Sequence, residues 1–182
     1  MPLPPASSAR ERRHTRSIAF EGFKRADGLW DIEGHLVDVK DHDIQLRSLL
    51  RRGGEAIHDI HVRVTIDRDM NVVDVAASSD ATPFMGTCEN IIPDYRKIIG
   101  LNLFDGFRQA IKALYGDIHG CTHLNELLMA MPTAAYQTFA GETPQKEDDK
   151  KPFHLDRCHA LSTDSEVVRR YYPRWYRGQT PE

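Results

Sequence analysis

Residues 57–67, IHDIHVRVTID, form the clearest secondary-structure pattern in the chain. At every second position stand His58, Ile60, Val62, Val64 and Ile66. Polar side chains occupy the positions between them, beginning with Asp59. Because successive side chains of a β-strand point to opposite faces of its sheet, this alternation predicts a strand with one buried and one polar face. The stretch therefore predicts an antiparallel sheet covered on one side.

Two hairpins are predicted around this strand. Residues 14–40 carry alternating apolar side chains on both sides of a turn at 26–28, Ala-Asp-Gly. Residues 68–71 are predicted to form a second turn, which leads from the strand over 57–67 into a strand over 72–77. Turn residues between alternating segments are typical of β-hairpins. The first half of the chain is therefore predicted to be β-structure.

The apolar period changes in the second half of the chain. A short helix is predicted over 93–100, with a proline in its first turn, and a second over 105–116, capped by its aspartate. A third is predicted over 122–139, where Thr122 is the expected cap and Pro132 should kink or divide the helix. Strands followed by helices predict an α+β fold, in which antiparallel hairpins pack against a helical C-terminal half.

The length of 182 residues fits one domain. We expect a disordered N-terminus over 1–13, a single domain over 14–177 and a tail over 178–182. Within the domain, residues 141–152 are predicted to be a polar loop. The segment that follows this loop is expected to hold an edge strand and a short helix.

Charge and composition exclude several classes of protein. The net charge is −3, with basic ends and a middle of −8, which argues against a nucleic-acid binder. No apolar run approaches the roughly 20 residues of a membrane span, and the first residues lack a secretory pattern. Three cysteines are an odd number, which argues against a disulfide framework in an apparently cytoplasmic chain. We therefore expect a cytoplasmic protein, with a homo-oligomer left open.

The segment GCTHL at 120–124 is the most distinctive local motif in the sequence. Cys121 precedes the predicted helix, whose N-terminus favours a thiolate, and His123 would lie in its first turn. The alternative is structural, because a free cysteine is often simply buried. Zinc would need distant cysteines, including Cys88, to converge without any short ligand spacing. Nucleotide and flavin motifs do not occur. We expect neither metal nor cofactor.

Two features of the strand over 57–67 each allow a functional and a structural interpretation. Asp59 and Arg63 on its polar face either line a cavity or form a solvated surface. His58 stands among apolar residues, where it is either a catalytic base or a hydrogen-bonded core residue. Trp30 is most simply a core anchor beside the first turn.

The chain resembles a bacterial family catalogued as domain of unknown function 2889 over about residues 12–176. The motifs that carry the resemblance are DGLWDIE at 27–33, Leu36-x-Asp38-x-Lys40, IHDI at 57–60, TID at 65–67, Pro83 with Cys88, GCTHL at 120–124 and CHA at 158–160. The resemblance implies a stand-alone cytoplasmic domain, often encoded among genes of aromatic or acyl-thioester catabolism. It also favours the motif positions Trp30, Asp38, Lys40, His58, Asp59, Cys88, Cys121 and His123.

The leading hypothesis is a cofactor-independent lyase or isomerase that acts on a small phenolic aromatic compound by general acid/base catalysis. The general base would be His58 or His123, oriented by Asp38 or Asp59. Lys40 or Arg63 would stabilise a phenolate. The substrate would also contact Trp30, Tyr95, Tyr136, Cys88 and Cys121. The alternatives are a non-catalytic binding protein for an aromatic or acyl-thioester ligand and a zinc-stabilised interaction module.

Overall fold

The computed structural model describes residues 3–142, 151–152 and 154–178. The chain divides into two compact units, Met1–Ala140 and Gly141–Glu182. Most of the predicted polar loop and of the C-terminal tail lies outside the described residues. The single-domain assignment and the disordered N-terminus stay predictions.

Six strands lie in the described part of the first unit. Their bounds are β1 His14–Lys24, β2 Trp30–Lys40, β3 Ile44–Gln45, β4 Leu50–Arg51, β5 Ala56–Ile66 and β6 Val72–Ala81. β1, β2, β5 and β6 form one antiparallel sheet in the order β1-β2-β5-β6, and β3 pairs with β4. Both predicted long hairpins are confirmed. The β3–β4 hairpin carries no alternating pattern and was not predicted.

The alternation of β5 sets one buried face of the sheet. Its apolar residues Ile60, Val62, Val64 and Ile66 are all buried. The register places Ile32 and Leu36 of β2 opposite two of them, and both are fully buried. Burying each such side chain stabilises the fold by about 1.5–3 kcal/mol. We call this face the core face and its opposite the outer face.

Two helices, α1 (Phe107–Tyr115) and α2 (Thr122–Phe139), pack against this face through a shared core. The buried side of α2 comprises Leu124, Leu127, Leu128, Met131, Pro132, Ala135 and Phe139. α2 contacts β1, β2 and β5, and α1 contacts α2. The α+β class, with an antiparallel sheet followed by helices, is thereby confirmed.

The predicted helix boundaries need three corrections. Pro93 lies inside a 3-10 helix, Cys88–Ile98, instead of starting a short helix. α1 begins after Gly106 at φ 64°, so the left-handed glycine and not Asp105 occupies the cap position. Cys121 is the N-cap of α2, without a side-chain cap hydrogen bond, and Pro132 does not interrupt the helix. Because Pro132 is itself buried, its packing offsets the missing backbone hydrogen bond.

The second unit holds short helical segments. They are 3-10 helices at His159–Leu161 and Pro173–Trp175 and the helix α3, Glu166–Tyr171. The Ser165 side chain caps α3 by accepting a hydrogen bond from the Val168 N–H. No strand occurs among the described residues of this unit, so the predicted edge strand is wrong. Across the described ranges, no helix is both long and apolar enough to cross a membrane.

A substitution at Gly22 of β1 tests how closely the sheet approaches α2. A Cβ at this position would lie 2.7 Å from the Cβ of Thr138 and closer still to its hydroxyl. We expect Gly22→Ala to lower the free energy of unfolding by about 1–3 kcal/mol, measured by urea denaturation, because backbone or helix must shift. Ser17→Ala, on the outer face of the same strand, should stay within about 0.5 kcal/mol of the wild type. Equal stability of the two variants would contradict this packing.

Candidate functional site

Asp38 is a buried charged residue with a relative exposure of only 3%. It lies on the core face of β2, near the end of the strand. Strand register sets Arg16 of β1 on one side of it and His58 of β5 on the other. All three side chains share this face because the side-chain period of a strand is two residues. The sheet therefore holds a carboxylate between a guanidinium and an imidazole.

Hydrogen bonds occupy both oxygens of Asp38. Arg16 donates from Nε to Oδ1 and from Nη2 to Oδ2, each at 2.8 Å. His14 Nε2 donates to Oδ1 at 2.9 Å, and His58 Nδ1 donates to Oδ2 at 3.1 Å. A bidentate guanidinium–carboxylate pair is among the stronger polar contacts in proteins. Asp38 is thus tied to both neighbouring strands.

The first turn of α2 adds a third histidine. His123 Nε2 lies 3.6 Å from Asp38 Oδ2, and the His58 and His123 rings have their centroids 3.8 Å apart. Glu126, one turn further along α2, pairs with Arg16 at 2.5 Å. We call Asp38, His14, Arg16, His58 and His123 the Asp38 cluster. It joins three strands to the start of a helix.

The GCTHL motif fixes where α2 begins. Gly120 permits a close approach, since a Cβ there would lie 2.6 Å from the Tyr115 carbonyl oxygen. The buried Tyr95 hydroxyl accepts a hydrogen bond from the Cys121 N–H at 2.8 Å and donates to Asn125 Oδ1 at 2.8 Å. Cys121 Sγ lies 3.9 Å from His123 Nδ1. Tyr95 and Cys121 therefore support the position of His123.

The surroundings of Asp38, His58 and His123 determine which of these side chains is charged at neutral pH. Burial opposes ionisation of Asp38, but the Arg16 hydrogen bonds prevail and hold its pKa at about 2. Burial lowers the pKa of His58 against the attraction of Asp38. Burial, aided by repulsion from protonated His58 and from Arg16, lowers the pKa of His123 to about 4. At neutral pH, an ionised carboxylate thus stands beside two neutral imidazoles.

This arrangement suits proton transfer better than metal binding. Asp38, His58 and His123 offer ligand atoms within 4.8 Å of one another. The positive guanidinium of Arg16, however, already occupies the carboxylate and would repel a cation. A neutral imidazole oriented by a carboxylate is the arrangement that general bases require. The Asp38 cluster is therefore a candidate acid/base site.

A second polar group lies on the outer face of the same sheet. His35 Nε2 donates to Asp59 Oδ1 at 2.6 Å, and His61 Nε2 lies 3.3 Å from the same oxygen. The two rings stack with their centroids 3.9 Å apart. We call His35, Asp59 and His61 the outer histidine group. Arg63 extends on this face too, where it pairs with Glu33 at 3.4 Å.

The structure therefore brings together only part of the predicted residue set. Asp38, His58, His123 and Cys121 converge, and Lys40 follows Asp38 by two residues on the same face. Asp59 and Arg63 are on the opposite face, which separates them from this group.

Two of the three predicted aromatic contacts, Trp30 and Tyr136, stand apart from the Asp38 cluster. Trp30 is eight residues from Asp38 along β2, roughly 26 Å at about 3.3 Å per residue, and packs on Phe139. Tyr136 is thirteen residues beyond His123 on α2, roughly 20 Å at about 1.5 Å per residue. Tyr95 is buried under Cys121, and Cys88 begins the 3-10 helix. Trp30 serves as a core anchor.

Sequence reasoning missed His14, Arg16 and Glu126. A signal for Arg16 exists in the first hairpin. Its turn is centred on Asp27, so paired residues are equidistant from that position, which sets Arg16 opposite Asp38. Glu126 follows His123 by three residues and so shares its side of α2.

The comparisons with known proteins give one match. A family model described as "Protein of unknown function (DUF2889)" matches residues 14–137. That range includes every member of the Asp38 cluster and of the outer histidine group. No curated protein and no solved structure matches the chain.

The low pKa of His123 predicts a loss of stability in mild acid. The unfolded chain binds a proton near the ordinary value of 6.5, whereas folded His123 does so only near 4. The unfolded state therefore holds more protons between these values, and stability falls as the pH falls through this window. His123 should account for at most about 2 kcal/mol between pH 7 and 5. Urea denaturation across this range measures the slope.

His123→Gln is the matched variant for this measurement, because it removes the titrating ring and keeps a polar side chain. Its unfolding free energy should depend less steeply on pH than that of the wild type. His119→Gln, a substitution of an exposed histidine outside the Asp38 cluster, is measured beside it as the control. Parallel pH profiles for His123→Gln and the wild type would rule out a neutral, buried His123.

Proposed function

The chain belongs to the DUF2889 family of proteins of unknown function, and from its own chemistry we propose that it is a cofactor-independent lyase or isomerase. The observation that carries the proposal is the contact of ionised, buried Asp38 with His58, beside His123. The reaction would move a proton to or from carbon, with C–C or C–O cleavage in a lyase. This chemistry needs a base, an acid and a site for developing negative charge.

His58 is the proposed general base. Its Nδ1–H donates to Asp38, so Nε2 keeps the free lone pair that accepts a proton. The lowered pKa favours the neutral form at pH 7, and Asp38 stabilises the imidazolium that forms during transfer. Asp38 touches the base and not the substrate, which makes it a positioning residue. The hydrogen bond between them supports this division of roles.

His123 is proposed as the second residue that takes part in general acid/base catalysis. Its ring lies against that of His58, and its pKa of about 4 keeps it neutral. A neutral imidazole can donate one hydrogen bond while accepting another. Proximity to His58 allows both rings to face the same bound molecule. The side chains of the two histidines are 18% and 19% exposed, so both keep partial contact with solvent.

A phenolic aromatic compound is the proposed substrate class. A phenol can serve as its own electron sink, so the proposed reaction would need no organic cofactor. Lys40 is the candidate for stabilising the phenolate, because it follows Asp38 on the same face of β2. Arg63 is not retained in this role, since it lies on the outer face with Glu33. Trp30, Tyr95 and Tyr136 are likewise not retained as ring contacts.

The experiment follows proton exchange and product formation by NMR in D₂O. The full chain is incubated with a panel of 4-hydroxyphenyl compounds that carry an acidic C–H bond next to a leaving group. We expect His58→Gln and His123→Gln each to lower turnover by about 10²-fold or more. His123→Gln should change stability by no more than about 1 kcal/mol, whereas His58→Gln should cost more, because it is bonded to Asp38.

His119→Gln is the matched control, because this exposed histidine belongs to neither histidine group. Its rate should equal that of the wild type. Undiminished turnover in folded His58→Gln and His123→Gln variants would remove the Asp38 cluster from the mechanism. Saturable binding of these compounds without conversion would instead support the non-catalytic binding protein.

A further inference from the structure

We propose that His35, Asp59 and His61 form a binding site for a zinc-class divalent cation on the outer face of the sheet, with Asp80 as a fourth ligand. This inference does not depend on the reaction proposed for the Asp38 cluster, which lies on the opposite face. Two imidazoles and carboxylate oxygens form the mixed nitrogen and oxygen donor set that zinc accepts.

Strand register places the nitrogen donors side by side. His35 of β2 is the direct cross-strand partner of His61 of β5. Their rings stack with an interplanar angle of 12°. Cross-strand partners on one face have Cβ atoms about 4.5–5.5 Å apart, so both rings can reach one ion. The donors therefore stand on regular strands, which hold ligands more firmly than loops do.

The spacing of the donor atoms suits a small tetrahedral ion. Bond lengths of about 2.0–2.2 Å imply neighbouring ligand atoms roughly 3.4 Å apart. Asp59 Oδ1 lies 3.3 Å from His61 Nε2, close to this spacing. It lies 2.6 Å from His35 Nε2, a hydrogen-bond distance that lengthens when an ion replaces the shared proton. Asp80 Oδ2 lies 3.7 Å from His61 Nε2. Because the rings are 41% and 43% exposed, they can turn their lone pairs toward a shared ion.

The local charge also favours a divalent cation. In the described part of the chain, the ion pairs of Asp59 and Asp80 are with histidines alone. Because imidazole binds a metal ion in its neutral form, a ligand set of two carboxylates and two imidazoles carries a charge of −2, which a divalent cation neutralises. Arg63, the nearby cation, is paired with Glu33. Here the outer histidine group differs from the Asp38 cluster, whose carboxylate is held by a guanidinium.

A depression in the outer face supplies an entry path. It has a volume of about 570 Å³, and its lining includes His35, His61 and Asp80. An ion bound here would stay in contact with solvent and could take a water or a small anion as an additional ligand. The cysteine spacing, which predicts no metal, does not bear on this site. Neither potential ligand group among the described residues contains a cysteine.

The test measures metal binding by the full chain after chelator treatment and desalting. Zinc chloride is titrated by calorimetry, and cobalt chloride by the visible absorption of tetrahedral cobalt. We expect one equivalent of either ion. Mutation of a group that only hydrogen-bonds to a metal ligand typically lowers metal affinity by about 10–100-fold. His35→Gln, His61→Gln and Asp59→Asn each remove a ligand itself, so each should lower the affinity by at least this factor. Asp80→Asn should weaken it less, as its side chain is 70% exposed.

His123→Gln and His119→Gln are the controls, and circular dichroism checks that each variant is folded. Both should bind zinc with the wild-type affinity. Loss of binding in His123→Gln but not in His35→Gln would assign the ion to the Asp38 cluster and overturn the proposal. A dissociation constant above about 1 mM, or equal affinity in all variants, would overturn it as well.

Discussion

The burial of one ionised carboxylate organises the first unit of this protein. Asp38 is tolerated on the core face only because Arg16, His14 and His58 satisfy its oxygens from both neighbouring strands. Breaking such a pair costs on the order of 3 kcal/mol, since a charge is then left without a partner. The same contacts join β1, β2 and β5, and His123 brings the start of α2 beside them. Stability and candidate chemistry therefore rest on the same hydrogen bonds.

The sheet was predictable because alternation and turn chemistry act within a few residues. The strand over 57–67 and both long hairpins follow from period-two burial, and α2 follows from its apolar spacing. Helix ends were less predictable, because tertiary packing decides them. Gly106 replaced Asp105 at one cap, and buried Pro132 stayed within a continuous helix.

The sequence indicated most of the residue types of the candidate site, but it did not show which of these residues lie together. His58 and Asp59 are neighbours in the sequence, yet the strand period sends them to opposite faces of the sheet. Grouping needs the register between strands, which alternation alone does not set. Trp30 shows that membership of one strand does not imply proximity, because Trp30 and Asp38 lie at opposite ends of β2. Arg16 could have been paired with Asp38 from the centre of the first turn, but no comparable signal marks His14, which is the direct partner of Lys40.

Both histidine groups share the same two strands, and this constrains which changes of chain length the fold can accept. A single residue inserted after Asp59 would invert the remainder of β5, turning His61 inward and its apolar neighbours outward. The outer histidine group would then lose His61, and the apolar side chains that form the core face beyond His58 would turn toward solvent. The segment between β2 and β5 is more permissive, since the register already shifts between Asp38 and Val39, beyond the buried carboxylate. We therefore expect natural length variation to collect in residues 41–55 and to be rare within β5.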